Sequence, residues 1–205
     1  MAPKVFPALT RLKFAWQIEE WGWKIGAHTY GTPRIIDAAY SSLQIGNYCS
    51  IGPDVSIVLG NHRTDLVTTY PFKTLSHLWP TARDGEDDHE SRGDVVIGND
   101  VWFGGGCLIL SGARIGSGSV IAGHAVVGGN VPPYAVMAGV PAKVVRYRFD
   151  KKTIARLLKV AWWDWDEQRL REHLPLLMST DINAFLDAAE SLPKPKGKKR
   201  SVKKD

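Results

Sequence analysis

Histidine is the side chain best suited to take a proton from a hydroxyl near neutral pH and return it. The chain has six: His28, His62, His77, His89, His124 and His173. His62, in VLGNHRTDLVTTYPF, is singled out by its place. It closes a regular repeat and opens residues 63–95, which lack that repeat, so it has rigid backing on one side and a loop on the other. A general base needs that combination, although a solvated loop histidine would read the same way. No two of the six have the close spacing of a zinc-binding strand turn, and no metal is expected. The two cysteines, Cys49 and Cys107, form no CxxC pair and read as packed side chains rather than nucleophiles.

The element that must position His62 is a six-residue repeat. From Ile97 the chain reads IGNDVW, FGGGCL, ILSGAR, IGSGSV, IAGHAV, VGGNVP. The first position is Ile97, Phe103, Ile109, Ile115, Ile121 and Val127, the second is mostly Gly, and the fifth is small or compact. The same phase holds in IGNYCS and IGPDVS from Ile45, continues at Ile57, and has a single copy at Ile25. The expected fold is all-β: a left-handed parallel β-helix of hexapeptide repeats with a long excursion loop and a C-terminal helical segment. Three hexapeptides make one coil, so Ile97 should stack on Ile115 and Phe103 on Ile121. Gly at the second position is expected to permit a tight backbone path. Long loops on rigid scaffolds are usually functional, which directs attention to 63–95.

The expected organisation is an N-terminal segment over 1–24, the β-helix over 25–146, helices over 147–192 and a basic disordered tail over 193–205. DKKTIARLLKV places Ile154, Leu157 and Leu158 on one helical face. The formal charge of +5 is a property of the tail, which holds seven of the 26 Lys and Arg and one of the 21 Asp and Glu. The remaining 19 basic and 20 acidic residues nearly cancel, and nucleic-acid binding is not expected. The tail could instead rest near an anionic membrane surface. With few cysteines and no uninterrupted apolar N-terminal run, a cytoplasmic location is expected.

The blocks IGNYCSIGPDVSIVLGNHRTD, TYPF, GDVVIGNDVWFG and VPPYAVMAGVPAKVVRYRFD, with the later AWWDW, resemble the xenobiotic acetyltransferase branch of the hexapeptide-repeat acyltransferases. That branch includes the streptogramin A (virginiamycin) and hexapeptide-type chloramphenicol acetyltransferases. The resemblance implies direct transfer of acetyl from acetyl-CoA to an acceptor hydroxyl, with His62 as base. The flat faces of such a β-helix pack against copies of themselves, so a homotrimer with active sites between subunits is expected. Trp102, in the VWFG block, is either an oxyanion donor near the reacting end of coenzyme A or a face-packing aromatic. The cofactor would run along Gly104, Gly105, Ala122 and Gly123, with Lys143, Arg146 and Arg148 on its phosphates. Tyr30, Pro33, Asp65, Tyr70, Pro71 and Phe72 would line the acceptor pocket. The chain departs from the streptogramin enzymes in the connection RIIDAAYSSLQ, which is shorter than theirs, so a sugar or polysaccharide hydroxyl is an acceptor candidate beside an antibiotic-like xenobiotic. A non-catalytic scaffold and a γ-class carbonic anhydrase are the rival readings of the repeat.

Overall fold

The computed structural model describes residues 8–192, so the basic tail lies outside them. The chain divides into two compact units after Asp150. The first is the β-helix. Its short parallel strands stack into three sheets, the faces of a triangular prism. The first face carries Lys24–Ile25, Leu43–Ile45, Val95–Ile97, Arg114–Ile115 and Asn130–Val131. The second carries Ser50–Ile51, Trp102–Phe103, Val120–Ile121 and Ala135–Gly139, closed by Ala142–Tyr147 running back antiparallel. The third carries Arg34–Ile36, Ser56–Val58, Leu108–Ile109 and Val126–Val127.

The register follows the repeat. Ile97 pairs with Ile115, Phe103 with Ile121 and Ile109 with Val127. These first-position side chains are buried, as are fifth-position Cys49, Val101, Cys107, Ala113, Ser119 and Ala125. Each hexapeptide therefore sends one large and one small residue inward, and the prism fills layer by layer.

The corners correct one expectation. It is the fourth residue of the hexapeptide, not the second, that turns left-handed: Tyr48, Asp54, Asp100 and His124 have φ of 54–59°. Glycine fills the second position because adjacent coils nearly touch there. A Cβ on Gly98 would lie 2.6 Å from the amide nitrogen of Ser117, and one on Gly104 2.5 Å from that of Gly123. At the corner between the first and second faces, side chains tie coil to coil. Asn47 Oδ1 accepts from Ala27 N–H, Asn99 Oδ1 from Asn47 N–H, and Ser117 Oγ from Asn99 N–H.

The second unit has helices Lys151–Val160, Glu167–Leu177 and Ile182–Ser191. Asp166 and Asp181 cap the latter two, accepting from the amides of Arg169 and Ala184. Arg156 bridges to Asp187 and Glu190, joining the first helix to the third. Leu157 is buried, whereas Leu158, expected on the same face, is exposed. Among the described residues no helix is long and apolar enough to cross a membrane.

Candidate active site

His62 lies at the corner between the third and first faces, where the chain leaves the prism after Val58 and returns at Val95. The excursion begins as a short antiparallel ladder, Asn61–His62 against His89–Glu90, with His62 opposite His89. The buried Ser111 pins this ladder to the coil above: its Oγ accepts from Asn61 Nδ2 at 2.9 Å and Arg92 N–H at 3.3 Å. The loop is held at its neck by Arg63, whose guanidinium bonds Asp65, Glu86 and the carbonyl of Asp87, and by the Lys73–Asp87 pair.

The imidazole of His62 is exposed, and its Nδ1 lies 2.7 Å from the carbonyl oxygen of Thr69. A carbonyl can only accept, so Nδ1 carries a proton, and in the neutral ring Nε2 keeps its lone pair. This is the tautomer a base requires. The next residue after Thr69 is Tyr70, so the TYPF block is anchored beside the base. Tyr70 and Phe72 pack at 4.7 Å, and Phe72 meets Trp79 at 5.4 Å. All three rings are exposed. Pro71 between them is half-buried. Asp65 is exposed, and Arg63 binds both its oxygens and holds its carboxyl below the ordinary range.

Other expected residues fall on other parts of the prism. Gly104, Gly105, Ala122 and Gly123 stack at the corner between the second and third faces. There Gly104 N–H donates to Ile121 O, and His124 N–H to Gly105 O. Lower on the same edge, Tyr30 lines a cavity of about 720 Å³ with Gly31, Arg34, Pro53 and Asp54. Pro33 is buried. Trp102 stands on the second face, 56% exposed, in a hollow of about 250 Å³ shared with Ser50, Val120 and Arg148. Within one chain, then, His62 emerges at one edge, while Trp102 occupies the opposite face and the glycine turns another edge.

Lys143 and Arg146 are exposed on the final strand. Arg148 differs. Its Nη1 donates to Asp100 Oδ2 at 3.1 Å and to the carbonyl of Gly118 at 2.8 Å, and the guanidinium lies 5.2 Å from the centre of the Tyr134 ring. These three partners sit on successive coils at the corner between the first and second faces, and Arg148 rivets them together. Arg148 thus bonds within its own prism, unlike an arginine wholly given over to a phosphate.

Sequence reasoning missed His89, Asp88, Thr74 and Tyr40, all gathered behind His62. The one available signal was the ionisable pair in EDDHES within a segment already marked as functional. Burial pushes both thiols up, Cys49 and Cys107 alike to about 11, so neither is poised as a nucleophile. Among the described residues no group of three or more His, Cys, Asp or Glu could hold a metal ion.

Comparison with known proteins gives a consistent picture. The bacterial transferase hexapeptide family (six repeats) matches residues 94–129. A chloramphenicol acetyltransferase of Agrobacterium fabrum (strain C58) is 39% identical over 152 residues, 73% of this chain and 72% of that protein. A chloramphenicol acetyltransferase of Escherichia coli is 41% identical over 143 residues, 68% of each chain. A virginiamycin A acetyltransferase of Staphylococcus aureus is 40% identical over 142 residues, 68% of this chain and 64% of that one.

Proposed function

This chain belongs to the xenobiotic acetyltransferase branch of the hexapeptide-repeat acyltransferases, and we propose that it moves acetyl from acetyl-CoA directly onto an acceptor hydroxyl, with His62 as general base. The observation that carries this reading is the state of His62: exposed, with Nδ1 committed to Thr69 and Nε2 free. Nε2 takes the hydroxyl proton as the oxygen attacks the thioester carbonyl. The tetrahedral oxyanion is met by N–H donors, with the Trp102 indole as one. The C–S bond then breaks, and Nε2 returns its proton to the departing thiolate, leaving an acetyl ester and free coenzyme A.

Pantetheine runs along Gly104, Gly105, Ala122 and Gly123, a corner built of small residues. Lys143 and Arg146 meet the phosphates. Because the base, Trp102 and the glycine edge lie on different sides of one prism, the site is completed by a neighbouring copy in a homotrimer. The cell compartment is the cytoplasm, where acetyl-CoA is made available. The acceptor is an antibiotic-like xenobiotic or a sugar, and the exposed Tyr70, Phe72 and Trp79 rings beside the base suit an apolar skeleton or the flat face of a pyranose.

The test is thiol release from acetyl-CoA across chloramphenicol, a streptogramin A, and a set of mono- and oligosaccharides. Turnover with an antibiotic marks a resistance enzyme, and turnover with carbohydrates alone marks a sugar acetyltransferase. Failure to bind acetyl-CoA at all would refute the proposal and favour a scaffold role.

A further inference from the structure

We propose that His89 is a positioning residue for His62, held in its turn by Asp88 and Tyr40; the inference rests on the reading of His62 as the base. The three rings meet in one cluster at the corner where the excursion leaves the prism. Tyr40 and His89 are nearly parallel, with centroids 4.7 Å apart and planes 15° apart. His89 and His62 follow at 4.4 Å and 55°. Tyr40 comes from the connection between the first two coils, and it fits because residue 60 is glycine: a Cβ there would lie 2.6 Å from Cδ2 of Tyr40.

Behind His89 the restraint continues. Its Nδ1 lies 2.7 Å from Asp88 Oδ1, and since a carboxylate only accepts, that nitrogen donates. Asp88 is fixed by Thr74 as well, accepting from its amide at 2.9 Å and its hydroxyl at 2.6 Å, while the Asp88 carbonyl accepts from Arg63 N–H. Burial works to raise the Asp88 carboxyl, but the bonds from Thr74 and His89 outweigh it and hold the group well below the usual carboxylate range. Asp88 is therefore an anion at neutral pH, matched to a donating His89.

His89 and Asp88 side chains are each 7% exposed, so an acceptor cannot reach them. His62 is the member of the set that faces solvent. The bond to Thr69 fixes one point on its ring, and a hinge through that point remains. A second ring packed against it at a 55° tilt opposes that swing and so aims Nε2. Misplacing a reacting group by about 1 Å can lower a rate by up to about 10²-fold, which is the scale on which such a backing ring acts.

The experiment compares kcat and KM for His89→Ala and His89→Phe, each alone and combined with His62→Ala. Loss of the ring should lower kcat about tenfold, within the range set by misorientation, with both KM values within about twofold. Phenylalanine restores a flat ring between Tyr40 and His62 and should recover kcat to within about threefold of wild type on the same argument. In the His62→Ala background, His89→Ala should change the residual rate by less than about twofold, because a residue that acts through the base has nothing left to act on. Losses that multiply in the double variant would overturn the inference, as would raised KM with unchanged kcat, or a folded Phe variant as slow as Ala. If His89→Ala does not fold, Asp88→Asn is put through the same cycle with the same criterion. Full turnover in His62→Ala alone would refute the base itself, an outcome separate from any of these.

Discussion

Replacing Arg148 by Ala distinguishes a structural rivet from a phosphate ligand. The side chain, 31% exposed, donates to Asp100 and to the Gly118 carbonyl and covers the Tyr134 ring. A hydrogen bond to a charged group contributes about 1.5–3 kcal/mol and a cation–π contact about 0.5–1 kcal/mol. Discounted for partial exposure, the loss should be about 2 kcal/mol, or a fall of roughly 4–8 °C in Tm for a chain of this size. The pH dependence has a defined sign. Burial raises the Asp100 carboxyl despite the opposing pull of Arg148. Without Arg148 it rises further, so at acid pH the folded state holds a proton that the unfolded state does not, and stability is regained. The penalty should be greatest at neutral pH and shrink as pH falls through the raised carboxylate value. Urea unfolding at fixed protein concentration, at several pH values, measures this, and acetyl-CoA titration of the same variant measures binding. Unchanged stability with a tenfold or greater rise in Kd for acetyl-CoA would refute the structural role and return Arg148 to the phosphates.

Ile109 is fully buried, with Ile57 and Val127 in register on either side; Ile109→Ala should cost about 2–5 kcal/mol in the same unfolding assay, and a loss under about 1 kcal/mol would mean the layers repack freely. Cys49 and Cys107, buried and shifted to about 11, should resist a disulfide reagent at neutral pH until the protein is unfolded, when two thiols appear. Rapid native reaction of either would contradict the packed interior.

The prism was legible because its physics is local and periodic. A first-position residue must stack on its equivalent one coil away, so Ile97 on Ile115 and Phe103 on Ile121 could be written down from spacing alone. The corners were legible in composition but not in cause: Gly98 and Gly104 are dictated by the neighbouring coil, while the left-handed turn falls on Tyr48, Asp54, Asp100 and His124. His62 was legible as the junction between repeat and loop. Its surroundings were not, because residues 63–95 have no period to reveal that His89 returns opposite His62 or that Tyr40 lies behind both. Arg148 shows the limit for charge: three cations in VPAKVVRYR look alike in sequence, and only geometry separates one bound to Asp100 from two facing water.

General-base catalysis requires that His62 remove the acceptor proton. Its most direct test is steady-state thiol release from acetyl-CoA by wild type and His62→Ala with whichever acceptor supports turnover, alongside acetyl-CoA binding by both. General-base catalysis predicts a fall in kcat of about 10²-fold or more with acetyl-CoA affinity preserved. Near-normal kcat in a folded His62→Ala protein would contradict it.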